Sequence, residues 1–253
     1  KRNTFRVPEQ VPTINEAVRI GFNLAKQKEY SKEKSLVVVL SEGEHAVEGR
    51  RRLLDIACSN ISFIGQGKDK TTVHGAFRVS NKKNVTVKSL TLTNPNGSVL
   101  RVEGEEASVE MMDVSVKECE YNGLSVDSGA SVKATQCEFS ENGSSGVFMS
   151  GGSKGIFTDC TIHHNGVDGV GALWEGTLVE LHGEQTEIHH NGRFGLVANS
   201  NTTINIYIPS RSITALVHDH GEDDDLVTFI GGKIQSQLSS SSLELTVIHP
   251  AAQ

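Results

Sequence analysis

The feature that most limits how this chain can fold is an interval. Gly123, Gly146 and Gly169 stand 23 residues apart, and so do Cys137 and Cys160, Phe139 and Ile162, and Asn142 and Asn165. The next copy, 169–195, is three residues longer, yet Ile188, Asn191 and Gly195 restore the register at its end. Looser copies run over 76–97, 98–123 and 196–221. Self-similarity at a fixed interval marks a solenoid or propeller, whose units bury their apolar faces only by stacking on their neighbours.

Inside a copy, apolar and polar residues alternate in three short runs. In 124–146 these are "LSV", "ASVKA" and "CEF". They place Leu124, Val126, Val132, Cys137 and Phe139 inward and Ser125, Lys133 and Glu138 outward. Runs this short, parted by Gly, Ser and Asn, are too brief for helices. Three strands per turn predict a three-sheet parallel β-solenoid with coils of about 22–26 residues and rungs about 4.8 Å apart. Asn-Gly after the third strand is expected to supply a left-handed corner. A propeller would repeat at about 40–45 residues, and the leucine ladder of leucine-rich repeats is missing.

An open solenoid end exposes strand edges and apolar rungs, so a lid is expected. "VPTINEAVRIGFNLAKQK" puts Ile14, Val18, Gly21, Phe22 and Ala25 on one helical face, with Thr13 and Glu16 as a capping box. "SLVVVLSEGEHAVEG" then reads as a buried strand and a turn. We expect one structural domain in three parts: an N-terminal cap (helix plus first strand) over 1–52, β-helix coils over 53–235, and a polar link with a C-terminal strand over 236–253.

"PTINEAVRIG…SLVVVLSEGEHAVEG" followed by "NISFIGQGKDKTTVHG" resembles the start of right-handed parallel β-helix proteins of the pectin-lyase-like superfamily. The "GLxV…xxCxFxxNGxxG" coils are similar to the parallel β-helix repeats of carbohydrate-binding and sugar-hydrolase proteins and of F-box-associated β-helix domains. The resemblance covers about residues 5–235. It implies an all-β, right-handed, single-stranded parallel β-helix with an N-terminal capping α-helix. It does not imply one activity, because the superfamily holds lyases, hydrolases, epimerases and non-catalytic binding domains.

Two coils carry "IHHNG", and "VHDHG" at 217–221 aligns with them. His163, His189 and His218 then form an outward column, His164, His190 and Asp219 a second, and Asn142, Asn165, Asn191 and His220 a third. Seven of the ten histidines fall between His163 and His220. Duplicated coils inherit their residues, so a stacked ladder is the bland account. The sharper one is a binding surface at His163, His164, His189 and His190, or a shared divalent metal. Asn-Gly corners bring no carboxylate to orient the rings, Asp219 excepted. A metal is therefore expected near His189, His190, His218 and Asp219 rather than at His163.

In catalytic members of the resembled superfamily the cleft lies along the first sheet. The outward columns there read Arg78, Arg101, Ser125, Phe148, Gly171, Val197 and Ser80, Glu103, Asp127, Ser150, Leu173, Asn199. Arg78, Arg101, Glu103 and Asp127 are the one constellation suited to acidic-sugar chemistry, since paired carboxylates do acid–base work on glycosides. The bland account is a solvated ion-pair ladder. The paired-aspartate and G-H-G elements of polygalacturonases and the D-P-H-D element of alginate epimerases are absent. Aromatics make up only 5% of the chain, so Phe148 and Trp174 furnish one sugar subsite at most.

A net charge of −7 gives no reason to bind nucleic acid or an anionic membrane, despite Arg50, Arg51 and Arg52. No apolar run approaches the roughly 20 residues of a membrane span. Cys58, Cys119, Cys137 and Cys160 match no zinc spacing and sit at apolar positions, so free buried thiols are expected. With no apolar signal core behind the basic start, they point to an intracellular, cytoplasmic setting. "GEDDD" at 221–225 lacks the spacing of a calcium loop. No cofactor is expected. The reading is a non-catalytic binding or scaffold module that presents a surface to a protein or polysaccharide partner. The alternative is a carbohydrate-active lyase, hydrolase or epimerase on an acidic polysaccharide, and the sequence leaves the choice of enzyme or binder open.

Overall fold

The computed structural model describes residues 3–26, 30–49, 52–208, 212–221, 226–229, 231–238 and 241–245. Arg50, Arg51 and 222–225 lie outside these residues. Among the described residues the strands form two sheets, one of 8 strands and one of 17. The chain is a parallel β-helix. Each middle coil contributes one strand to the small sheet, the first face, and two to the large sheet, the second and third faces. In one coil these are Leu124–Asp127, Ser131–Thr135 and Glu138–Ser140. They pair in parallel with Val147–Met149, Lys154–Thr158 and Thr161–His163 of the next.

The alternation sets the inside. Val126, Phe139, Phe157, Ile162 and Ile188 are wholly buried, and Leu124, Cys137 and Val132 join them. All four cysteines are free and buried. Burial pushes the Cys119 thiol up to about 11, so it stays protonated and inert at neutral pH.

The helix Ile14–Ala25 packs across the first end of the stack. Thr13 caps it by accepting from the Glu16 N–H at 3.2 Å. Half of the expected capping box forms, because the Glu16 carboxylate turns to Arg19 instead. Ile14, Ala17, Val18 and Gly21 face the core. Phe22 does not: it is exposed, and Lys26 lies 4.4 Å over its ring. At the other end Lys233–Leu238 pairs in parallel with the coil before it, and Ser241–Leu245 folds back antiparallel. Among the described residues no helix is long and apolar enough to cross a membrane.

The corners differ from expectation in an informative way. The left-handed residue after the third strand is not the Asn of Asn-Gly but the residue before it: Glu141, His164 and His190, at φ 55°, 53° and 52°. Asn and His are among the residues that tolerate this region best. The glycine is needed for a different reason. A Cβ on Gly166 or Gly192 would come within 2.5 Å of the carbonyl oxygen of Gly143 or Gly166 in the preceding coil.

The asparagines themselves are not solvated. Asn142, Asn165 and Asn191 are each 1% exposed. Asn142 donates to Asn165 Oδ1 at 2.8 Å, and Asn165 donates to Asn191 Oδ1 at 2.9 Å. Each oxygen also takes a backbone N–H from the coil before, at 3.3 Å and 3.2 Å for Cys119 and Asn142. His220 occupies the fourth place, where its Nδ1 accepts the Asn191 N–H at 3.1 Å. Burial lowers its pKa to about 4, so at neutral pH it stays uncharged and able to accept. The third column is therefore an internal polar spine that satisfies the corner backbone, not a surface feature.

Candidate functional site

Strand register brings the first-face columns together as read from the sequence. Arg78 pairs with Arg101, Arg101 with Ser125, Ser125 with Phe148, Phe148 with Gly171 and Gly171 with Val197. Glu103 sits opposite Asp127 in the neighbouring column. Its carboxylate accepts from Arg78 Nε and Arg101 Nε, both at 2.8 Å. Partial burial pushes the Glu103 carboxyl up, but the hydrogen bonds and charges of the two arginines outweigh it and hold it below the usual range. Glu103 is thus ionised at neutral pH, which suits an anchor for two cations and not a general acid. Asp127 accepts from the Ser128 N–H at 2.6 Å and the Ser150 hydroxyl at 3.1 Å.

Further along the same face the column drops away at Gly171. A Cβ there would lie 3.7 Å from Phe148 and 3.6 Å from Leu173, in ordinary contact with both. Beside it a cleft of about 490 Å³ opens, lined by Phe148, Leu173 and Val197. Asn122, Asp168, Arg193 and Asn199 provide its polar rim. The Arg193 guanidinium is steadied over the Phe194 ring at 4.5 Å. Trp174 does not share this cleft with Phe148. It sits 57% exposed at a left-handed turn after the strand Val170–Leu173.

The third face holds the histidines. His163 stacks on His189 at 5.0 Å and His189 on His218 at 5.5 Å, while His164 stacks on His190 at 5.1 Å. His163 Nε2 lies 3.1 Å from Glu138 Oε1, and His218 Nε2 lies 3.1 Å from Glu187 Oε1. The His163 hydrogen bond holds the Glu138 carboxyl down to about 2 against the upward push of burial. Carboxylates therefore do orient His163 and His218, contrary to the expectation that the corners bring none but Asp219. Glu138 reaches His163 from one coil earlier, and Glu187 reaches His218 in the same way. Among the described residues no three His, Cys, Asp or Glu side chains converge on one point to hold a metal ion.

A family model described as the right handed beta helix region matches residues 74–211. The chain belongs to that family. This right-handed β-helix matches no curated protein. In structure it is similar to the catalytic domain of a GH87 alpha-1,3-glucanase in complex with tetrasaccharides. The TM-score is 0.55 at 14% identity, over 89% of this chain and 44% of the other. A second such structure, also with tetrasaccharides, gives 0.55 at 12% identity, over 89% and 44%. The A-module of a mannuronan C-5 epimerase from Azotobacter vinelandii gives 0.48 at 14% identity, over 88% and 79%. The β-helix spans less than half the length of the glucanase domains, and at these identities the likeness is one of fold.

Sequence reasoning found the β-helix columns but missed the rim of the cleft. Asn122, Asp168 and Arg193 belong to the corners between coils, where no alternation predicts direction. The signal that was available is Gly171 itself, a glycine in an outward column between Phe148 and Val197.

Proposed function

We propose that this β-helix recognises a polysaccharide, and that the cleft at Gly171 holds one of its sugar rings. The observation that carries the reading is the hollow between Phe148 and Val197, with an apolar floor and a rim of amide, carboxylate and guanidinium groups. Sugars present an apolar ring face and a belt of hydroxyls, so they favour such a mixture. The volume falls within the range of about 300–1,000 Å³ usual for ligand sites. Two solved structures of GH87 glucanase catalytic domains, similar in fold, carry tetrasaccharides, which agrees with a glycan ligand. A protein partner has less behind it. The exposed large apolar side chains among the described residues, such as Phe22, Leu53 and Trp174, lie on separate elements.

The test is binding to a panel of neutral and acidic glycans, followed by calorimetry on those retained. Gly171→Leu sets a bulky side chain against Phe148, Leu173 and Asp168, all of which line the cleft, and does so without backbone strain, since its φ is ordinary. We expect it to lower affinity at least about 10-fold, or about 1.4 kcal/mol, with an unchanged melting temperature. Equal affinity in that variant would remove the cleft from the account.

A second reading is catalysis on an acidic polysaccharide, favoured by Glu103 and Asp127 on adjacent rungs of the same face. Arg101 remains 60% exposed there and open to a uronate carboxylate. Turnover of a uronate polymer that Asp127→Asn abolishes would establish it. Glycan binding without turnover leaves recognition as the function.

A further inference from the structure

Recognition at the first face leaves the histidine pairs of the third face without a role. Three successive coils end their third strand with His163-His164, His189-His190 and His218-Asp219. In every pair two donor atoms stand 2.8 Å apart: Nδ1 with Nδ1, Nδ1 with Nδ1, and Nδ1 with Oδ2. The second residue of each is left-handed, at φ 53°, 52° and 58°. The two rings of a pair are nearly perpendicular, at 88° and 89°.

We infer that these pairs are two-donor sites for a divalent late first-row transition metal ion, held at the His163-His164 and His218-Asp219 rungs. The spacing fits a right-angled chelate. Two ligands at about 2.0 Å from one ion are about 2.8 Å apart when they meet at 90° and about 3.3 Å apart in a tetrahedron. The donor set, imidazole nitrogen with a second nitrogen or a carboxylate oxygen and open water positions, suits Cu²⁺ or Ni²⁺, which adopt tetragonal N and O coordination.

The ring orientations agree. His163 directs Nε2–H at Glu138 Oε1, which leaves the Nδ1 lone pair facing its neighbour. Glu138 is itself held by the Ser115 hydroxyl at 3.1 Å. His218 makes the same use of Glu187. A carboxylate on the far nitrogen is what fixes the tautomer and raises the basicity of a metal-ligating imidazole. The middle rung lacks this support: Thr161, not a carboxylate, precedes His189 by one coil in the column that holds Glu138 and Glu187. It also lies between the other two, so an ion there would face like charge about 5 Å away on both sides. Asp219 sits where the other coils have imidazole and keeps a metal donor at that place. A ladder that served stacking alone would gain nothing from it. Without metal, each pair closes instead through one shared proton, which the ion displaces. Each rung supplies two ligands, and water completes the shell.

The test is titration of the chelator-treated full chain with CuCl₂ and NiCl₂, read by calorimetry, and by electron paramagnetic resonance for Cu²⁺. We expect two ions per chain, with nitrogen hyperfine splitting from two imidazoles at one site and one at the other. His163→Ala with His218→Ala should abolish both. Glu138→Gln, a change in a positioning residue, should weaken one site about 10–100-fold and leave the other. His182→Ala, on the second face where its ring stacks on Tyr207, should change neither. Binding that survives the double variant, no binding by the wild type, or a Glu138→Gln titration identical to wild type would each overturn the inference. The readouts are independent of glycan binding, so its failure leaves the cleft untouched.

Discussion

The first and third faces are built on the same inner rungs and use their outer columns in opposite ways. On the first face the column changes chemistry at almost every coil: Arg78, Arg101, Ser125, Phe148, Gly171, Val197. On the third face His163, His189 and His218 repeat one ring. Beneath both, packing dictates what is allowed, and Leu124, Leu100 and Val147 fill equivalent places without exposure. The outer positions are free of that demand. A column that varies builds a shape, here a hollow beside the rung where glycine replaces a side chain. A column that repeats multiplies a single local chemistry at the rung spacing. Departures from the repeat are therefore informative on the first face, and orientation of the repeated ring is informative on the third.

The comparison fails at its base if the inside and outside are misassigned. Phe139 is wholly buried and meets Phe157 edge-on at 6.0 Å. Phe139→Asp would place an unpaired charge inside a stacked coil. The cost is several kcal/mol against a total stability of about 5–15 kcal/mol. We expect no cooperatively melting protein, whereas Ser125→Asp, facing outward, should fold. A Phe139→Asp variant that melts with the wild type would show the columns to be shifted by one residue.

A smaller effect separates the two faces from each other. Asn165 lies under the histidine corner, and its amide donates to Phe139 O at 3.0 Å and to Asn191. Asn165→Ala would orphan buried groups on both neighbouring coils, each worth about 1–3 kcal/mol. We expect a loss of about 3 kcal/mol, or a drop of about 6–12 °C in melting temperature for a chain of this size. The corner that carries His164 should loosen, so metal affinity should fall while glycan affinity at the Gly171 cleft holds. Equal losses at both sites would mean that the faces are not independent.

The legible and the hidden parts of this molecule divide along a physical line. Strand alternation is local, so Val126, Phe139 and the register of the Gly171 column were readable from spacing alone. Corners obey contacts between coils that no local pattern records. Asn165 looked like a solvated turn residue because Asn-Gly usually is one. Its burial follows from the ladder of amides above and below it. Glu138 was read only as an outward residue, because its partner His163 lies 25 residues away and one rung up. The hollow at Gly171 depends on Arg193 and Asp168, which reach it from the corners.

The smallest expected effect concerns the acidic end of the first face, where shape is least developed. Glu103 is the shared acceptor of Arg78 and Arg101, and its folded-state pKa is lowered. A carboxyl lowered on folding binds fewer protons in the native state than in the unfolded one. Its contribution is thus present above the ordinary carboxyl range and is lost as pH falls through the lowered value. Both arginines are well exposed, at 44% and 60%, so solvent screens the pairs. Glu103→Gln should therefore cost only about 0–1 kcal/mol at pH 7. The difference from wild type should shrink as pH falls through that lowered value and vanish below it, where both side chains are neutral. Glycan affinity at the cleft should not change, because Glu103 is not among the groups that line it. If Glu103→Gln instead abolished glycan binding, the first face would hold one continuous groove from Arg78 to Val197. The contrast between a built hollow and a passive ion-pair ladder on that face would then be lost.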